Sequence, residues 1–276
     1  QWHSVRKAGS GGRYEWLSKA VDTPVDSITV TSTAAAQSKS FTPKEAGIYF
    51  LEAAGREAGG RATRSESYIY VTGKGYVAWE REDDDRIELV ADRASYKPGQ
   101  TARVMVKSPF ESARALVTLE REGVMSQQVL TLNGSTPTIE IPLTHKHLPN
   151  VFMSVILLRG RSSDHIYSEE GEDIGRPAFK IGYVNLPVDP GTRHLKVAVK
   201  PDRSDYLPGA TVTLDIDVRD AAGEPSAAEV TLAVVDRGVL NLINYELPDP
   251  FDAFYGNRPL SVQTSETRLH VVEQRN

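Results

Sequence analysis

The sequence predicts an all-β protein built from tandem antiparallel β-sandwiches. Short strand signals, rich in Val, Ile, Leu and Thr, alternate with turn signals along the chain, and no long helical periodicity interrupts them. A ten-residue phrase also occurs twice, because Asp, Arg, Tyr, Pro, Gly and Thr recur in register in residues 92–101 and 202–211, 110 residues apart. A repeat of this length indicates that one domain is used at least twice.

The repeated phrase predicts a strand, a tight turn and a second strand. Its proline presets the backbone dihedral φ at the first central position of the turn, and the glycine after it accepts the positive φ that a type II turn requires. Tyr96 and Tyr206 precede the two turns. We expect both rings to cap a core beside the turn, because aromatic side chains in β-domains mostly pack.

The elements before the third domain fall into two predicted domains, residues 1–75 and 86–188. The first opens at Gln1 as if in mid-strand and is expected to be truncated at its N-terminus. Its strands are predicted at residues 2–6, 14–17, 27–32, 48–54 and 66–71. The second has seven predicted strands, at residues 87–91, 102–107, 114–120, 126–132, 138–141, 151–159 and 179–186. Seven short strands within a hundred residues are typical of a β-sandwich.

The third predicted domain, residues 192–276, repeats the pattern and then changes character. Its strands are predicted at residues 195–199, 212–216 and 229–235. The run from Tyr245 to Leu260 is dense in aromatic residues, Pro and Asp, and we expect a packed connection there rather than an exposed docking surface. Within it, a short helix is expected to begin near Phe251, with Asp249 as N-cap and Pro250 in the first turn.

Composition excludes several kinds of function. The chain has no cysteine, which excludes disulfides, thiolate catalysis and thiolate metal sites within these 276 residues. The net charge of −5 and the lack of a basic stripe with interleaved aromatic residues argue against nucleic acid. No apolar run approaches membrane-spanning length, so no direct insertion into a membrane is expected.

Candidate chemical sites are sparse. His145 and His147 would share one face of a strand, but zinc needs at least three protein ligands and no third is evident, so solvated histidines are expected. The acidic runs at 83–85 and 169–173 lack the spacing of a dedicated calcium site. No nucleophile elbow occurs. We therefore predict neither catalytic residues nor a metal or cofactor.

Several stretches are specific enough to indicate a family. The chain resembles the bacterial alpha-2-macroglobulins over roughly residues 86–264, and the first 75 residues fit a preceding module of the same kind. The run Pro248-Asp249-Pro250-Phe251-Asp252, followed by Phe254-Tyr255-Gly256, is the most distinctive match. The other stretches that carry the resemblance are residues 92–106, 115–123, 149–151, 157–160, 176–183 and 232–240.

The resemblance implies a fold and a function. The fold would be tandem macroglobulin-type sandwiches, immunoglobulin- or fibronectin-like in architecture. Family members are large protease traps: proteases cut an exposed bait segment, and a thioester in a separate domain then captures them. The thioester requires a cysteine, so covalent capture cannot reside in these residues. The resemblance further implies proteases and other domains of the parent chain as partners, and a periplasmic location with the parent anchored as an inner-membrane lipoprotein.

In the family the bait segment follows shortly after the aromatic run, which implies a position at or beyond residues 262–276. Arg268 and Arg275 would suit trypsin-like proteases, whereas Leu269 and Val272 would suit more apolar pockets. The alternative interpretation of these residues is an ordinary strand followed by a frayed terminus. For the chain as a whole, the alternative to a non-catalytic part of a protease inhibitor is a set of adhesion or spacer modules that bind a protein or glycan.

Overall fold

The structure is a computed structural model, and it describes residues 2–8, 14–57, 59–73, 77–80, 84–161, 175, 177–235, 237–242 and 249–265. Among the described residues, 44% lie in strands and 7% in helices, which confirms the all-β class. The strands are β1 Trp2–Ala8, β2 Tyr14–Ala20, β3 Gly47–Arg56, β4 Ala62–Val71, β5 Leu89–Ala91, β6 Thr101–Val106, β7 Ser112–Glu120, β8 Val124–Asn133, β9 Thr138–Pro142, β10 Asn150–Arg159, β11 Ala178–Pro187, β12 Lys196–Pro201 and β13 Leu214–Arg219. The helices are α1 Arg237–Leu242 and α2 Phe251–Tyr255.

Strands β5 to β11 form the central sandwich, two antiparallel sheets packed face to face. One sheet has the order β11-β10-β7-β8 and the other the order β5-β6-β9. Every one of the seven strands predicted for residues 86–188 is found, with ends shifted by no more than two residues. The seven-strand interpretation is therefore confirmed for this region.

The core of the central sandwich follows from the two-residue period of its strands. In β10, alternate side chains point to the same side, and Val151, Met153, Val155 and Leu157 are all 0% exposed. They belong to one cluster of buried residues to which β6, β7, β9 and β11 also contribute. The closed core explains why β10 keeps one register along its whole pairing with β11 and with β7. The β7–β8 pair shifts register between Leu119 and Glu120, close to its turn.

The remaining sheets are two-stranded hairpins, β1-β2, β3-β4 and β12-β13. Their apolar side chains are largely exposed; Phe50, Tyr68, Val197 and Val199 are 48%, 62%, 54% and 51% exposed. Antiparallel pairing is thus present in the chain both before and after the central sandwich. The domain limits 1–75 and 192–276 remain predictions.

Two strand predictions were wrong. Residues 27–32 and 229–235 form no strand in the described part of the molecule. Ile28 and Val30 are 53% and 52% exposed, and Val234 is 86% exposed. Both segments have β-branched residues in plenty, but that preference reflects packing on a half-buried sheet. Neither segment packs on a sheet of this kind among the described residues.

A small second cluster joins the β3–β4 hairpin to the central sandwich. Val77, Trp79 and Met105 are buried together, with Tyr70 packed against them. The Trp79 indole N–H donates to the carbonyl of Ser135 at 2.6 Å. No helix in the described residues has the length and apolarity to cross a bilayer.

Candidate functional site

The first copy of the repeated phrase folds into a hydrogen-bonded corner at the edge of the central sandwich. The Tyr96 hydroxyl donates to Asp92 Oδ1 at 2.7 Å, and the backbone N–H of Arg103 donates to the same oxygen at 2.9 Å. Gly99 has a φ of +90°, as the predicted turn requires. The corner is tied further into the sandwich by the Tyr96 N–H, which donates to the Pro187 carbonyl at 3.0 Å.

The second copy folds into the same corner. The Tyr206 hydroxyl donates to Asp202 Oδ1 at 2.5 Å, and the Thr213 N–H donates to that oxygen at 3.1 Å. Gly209 has a φ of +83°. The expectation of equivalent turns is confirmed, and the sequence repeat is a structural repeat.

The two tyrosines differ in burial. Tyr96 is 1% exposed and belongs to the core, so the prediction that it caps the core is confirmed. Tyr206 is only partly buried, and its neighbour Leu207 is 81% exposed. For Tyr206 the prediction was wrong among the described residues, because no second sheet covers β12 and β13 there.

Electrostatics within the two corners follow these contacts. Burial raises the pKa of Asp92, but the Arg103 N–H, the Tyr96 hydroxyl and the Arg93 charge outweigh it and hold that pKa below its ordinary value. The Tyr206 hydroxyl and the Thr213 N–H likewise lower the pKa of Asp202. These carboxylates are structural acceptors within a turn.

The C-terminal end of the aromatic run docks on the central sandwich. The Arg258 N–H donates to Asn150 Oδ1 at 2.9 Å, and Asn150 Nδ2 donates back to the Arg258 carbonyl at 3.0 Å. The Ser261 N–H donates to the Arg121 carbonyl at 2.8 Å. Residues 257–261 and their partners on the sandwich are called the dock below.

Charged side chains reinforce the dock at the β7–β8 turn. Arg121 Nη1 donates to the carbonyls of Leu148 and Asn150 at 2.6 and 3.1 Å, and its Nε donates to Glu122 at 2.6 Å. Arg258 Nη1 donates to the other oxygen of Glu122 at 2.8 Å. The hydrogen bonds from Arg121 and Arg258 lower the pKa of the exposed Glu122 to about 2.

Sequence reasoning missed the dock and also missed a buried polar face of the sheet to which Asn150 belongs. Asn150, Ser154, Thr118 and Glu120 lie on the outer face of the four-stranded sheet, opposite the core residues, and strand alternation predicts that face to be exposed. They are instead 0%, 1%, 8% and 2% exposed. The Thr118 hydroxyl donates to Glu120 Oε1. Short polar side chains on an outer face are the only sequence signal that could have indicated a covered surface.

The aromatic run packs in part, as predicted. The Phe251 ring stacks on His194 with 4.2 Å between centroids and also lies 4.9 Å from Tyr255. Phe254 is 69% exposed, so the run also keeps one free aromatic side chain. The helix begins at Phe251, and its N-cap is Pro250 rather than the predicted Asp249. Asp249 still accepts the Phe251 N–H at 2.9 Å.

The histidine pair does not lie on a strand. His145 and His147 belong to a 3₁₀ turn, because the Thr144 hydroxyl accepts the Lys146 N–H at 3.3 Å and His147 Nδ1 accepts the Thr144 N–H at 3.0 Å. Burial, with Arg121 and Lys146 nearby, lowers the pKa of His147. Within the described ranges, no group of three or more His, Cys, Asp or Glu side chains could hold a metal ion. The acidic run 169–173 and residue 83 lie outside the described residues.

Comparison with known proteins gives the family. The sequence profile of the alpha-2-macroglobulin bait region domain matches residues 87–242, which contain the central sandwich and both corners. The chain belongs to the alpha-2-macroglobulin family. It is 30% identical to an alpha-2-macroglobulin homolog of a Nostoc species over 246 residues, which cover 89% of this chain and 13% of that protein. It is 29% identical to the alpha-2-macroglobulin of Ralstonia nicotianae over 83% of this chain and 13% of that protein.

Among solved structures, the chain is similar to the native conformation of Escherichia coli alpha-2-macroglobulin. That likeness has 20% identity and a TM-score of 0.35, over 94% of this chain and 16% of the other. The chain therefore spans about an eighth of the length of the curated relatives named above. The residues predicted for protease cleavage, Arg268, Leu269, Val272 and Arg275, lie outside the described residues, as does the predicted strand near Leu269.

Proposed function

We propose that this chain is a non-catalytic part of a protease inhibitor of the alpha-2-macroglobulin family. The observation that carries the proposal is the match of residues 87–242 to the bait region domain, since a bait is a segment offered to proteases. The proposed bait lies at or just beyond residues 262–276, with Arg268 and Arg275 for trypsin-like enzymes and Leu269 and Val272 for enzymes with apolar pockets. The partners are proteases and other domains of the parent chain.

The proposed mechanism uses the modules as a scaffold for the cleavable segment. A protease needs an extended, accessible backbone, and cutting that backbone removes a covalent tether between the parts it joins. For the cut to trigger a rearrangement, the parent protein must have two packed arrangements whose balance the tether biases. The parent is proposed to act in the periplasm as a lipoprotein anchored to the inner membrane.

Limited proteolysis tests the proposal. The intact parent protein is treated briefly with trypsin, the earliest cuts are mapped by mass spectrometry, and compactness is followed by small-angle scattering. Early cuts at Arg268 or Arg275, followed by a change in compactness, are expected. Arg203 and Arg64, whose side chains are 70% and 58% exposed, are internal controls that should be cut later.

The variant Arg268→Gln/Arg275→Gln is the matched control for the cleavage sites. It should remove the early trypsin cuts and the change in compactness, while cuts at Arg203 continue. Adhesion or spacer modules would instead give slow cuts scattered over linkers with no change in shape. That pattern would overturn the proposed inhibitor function.

A further inference from the structure

The dock holds the backbone of residues 258–261 in addition to the Arg258 side chain. Asn150 pairs with both the N–H and the carbonyl of Arg258, and the Arg121 carbonyl accepts the N–H of Ser261. A side-chain amide has a donor and an acceptor, so it can satisfy both backbone groups of one residue as a neighbouring strand would. The central sandwich therefore fixes the backbone path of residues 258–261.

Asn150 is held in position for this pairing. It is 0% exposed, and its Nδ2 also donates to Asn185 Oδ1 at 2.9 Å, which fixes the amide plane from the neighbouring strand β11. The carbonyls of Asn150 and Leu148 are both engaged by Arg121 Nη1. Buried polar groups that lose their partners carry a desolvation cost, so the amide and the docked backbone stabilise each other.

Protection of backbone has a direct consequence for proteolysis. A protease binds its substrate as an extended strand, so bonds whose N–H and carbonyl groups are engaged on the sandwich must first be released by local opening. The dock engages the chain up to Ser261. In the described residues that follow, 263–265 are exposed.

We infer that Asn150 is a positioning residue that sets the upstream limit of the segment open to proteases. Peptide bonds of residues 258–261 are protected by the dock, and the bonds of the exposed residues 263–265 that follow are accessible. The inference rests on the proposed function only in identifying the accessible segment as a bait. The protection of residues 257–261 is a property of the dock itself.

The test uses a chymotrypsin-like protease, because Tyr255, two residues before the dock, and Leu260, within it, are partly buried cleavage sites. The full chain is compared with the variant Asn150→Ala, and the rate of each cut is measured by mass spectrometry. Cuts after Tyr255 and Leu260 should accelerate by about tenfold or more in the variant, since two hydrogen bonds to the docked backbone are lost. Equal rates in both proteins would overturn the inference.

A second variant guards against loss of the whole sandwich in Asn150→Ala. Ser261→Pro removes the N–H that donates to Arg121 while changing only an exposed residue. It should also accelerate the cut after Tyr255. The matched control Ser265→Pro makes the same change at an exposed position four residues beyond the dock and should leave that cut at the rate of the unaltered chain. Acceleration by both proline variants alike would contradict the inference.

The two proposals fail separately. If residues 262–276 resist every protease, the inhibitor function is overturned, but the difference between Asn150→Ala and the unaltered chain still measures the dock. If residues 262–276 are cut early and the cuts after Tyr255 and Leu260 are equally early in the unaltered chain, the bait survives and the upstream limit does not.

Discussion

The two copies of the repeated phrase share a corner but not an environment. In both, a tyrosine hydroxyl donates to the aspartate four residues earlier, and that aspartate accepts a backbone N–H from the residue eleven positions later, in β6 or just before β13. Tyr96 sits in the closed core of the central sandwich, whereas Tyr206 belongs to a hairpin whose apolar side chains are exposed. The phrase thus encodes the corner locally, and burial depends on strands far away in sequence.

The largest difference between the two copies is expected in the loss of stability when each tyrosine is replaced by alanine. Tyr96→Ala should destabilise the central sandwich by about 3–5 kcal/mol, because it leaves a cavity and removes the donor to Asp92. Tyr206→Ala should leave the central sandwich as stable as before. Hydrogen exchange of the β10 amides, which lie in the core, measures both variants.

Equal losses of protection in β10 would contradict the comparison. Such a result would mean that the second corner supports the central sandwich directly. Loss of protection confined to β12 and β13 in Tyr206→Ala is the expected complementary result, since those strands flank the second corner.

The next largest difference between the two copies is expected in the pH at which the two tyrosines ionise. Burial, followed by the hydrogen bond to the Asp92 carboxylate, raises the pKa of Tyr96 from 10.0 to about 12. A raised pKa means that the neutral tyrosine stabilises the fold fully below pH 10 and that this contribution is lost as the pH rises through about 12. The pKa of Tyr206 is also raised, but this side chain is partly exposed. Tyr206 should therefore ionise before Tyr96 in an absorbance or NMR titration. Simultaneous ionisation would show that the two environments are alike.

Replacement of the two turn glycines by alanine should destabilise the two corners to the same extent. Gly99 and Gly209 have φ values of +90° and +83°, which an L side chain adopts only with strain. Gly99→Ala and Gly209→Ala should each cost about 1–2 kcal/mol in the local opening of their own corner, seen by exchange of the Gln100 and Ala210 amides that close the turns. A cost in one copy alone would mean that tertiary context, rather than the phrase, selects the turn.

The sequence was sufficient for what depends on neighbours along the chain. The Pro-Gly turns, the strand at residues 151–159 and the helix near Phe251 are local patterns, and each is present. The segment at residues 229–235 shows the limit, since its strand preference is real but no partner strand meets it in the described residues. Pairing is a long-range property that composition does not specify.

The dock could not be predicted for a related reason. Asn150 and Arg258 are 108 positions apart, and the contact uses a backbone that any sequence possesses. An asparagine in an outward-facing strand position has the appearance of an ordinary exposed residue. Only its burial in the folded chain distinguishes it. The cleavage residues beyond 265 remain a prediction from family resemblance.

The smallest expected effect is that of acid, which should weaken the hydrogen bonds of both corners. The pKa values of Asp92 and Asp202 are both lowered, so each carboxylate stabilises its corner above the ordinary value of 3.8, and that contribution is lost as the pH falls through the lowered pKa. NMR shifts of the Arg103 and Thr213 amides, which donate to these carboxylates, should therefore titrate with midpoints below 3.8. After titration the Arg103 amide should keep more protection from exchange, because Arg103 lies within β6, which stays paired with β5 and β9 in the closed sandwich. Thr213 lies one residue before β13, in a two-stranded hairpin, and its amide should lose protection. A midpoint above 3.8 at either amide would mean that its carboxylate is not held by the corner, and equal protection after titration would erase the difference between the two copies.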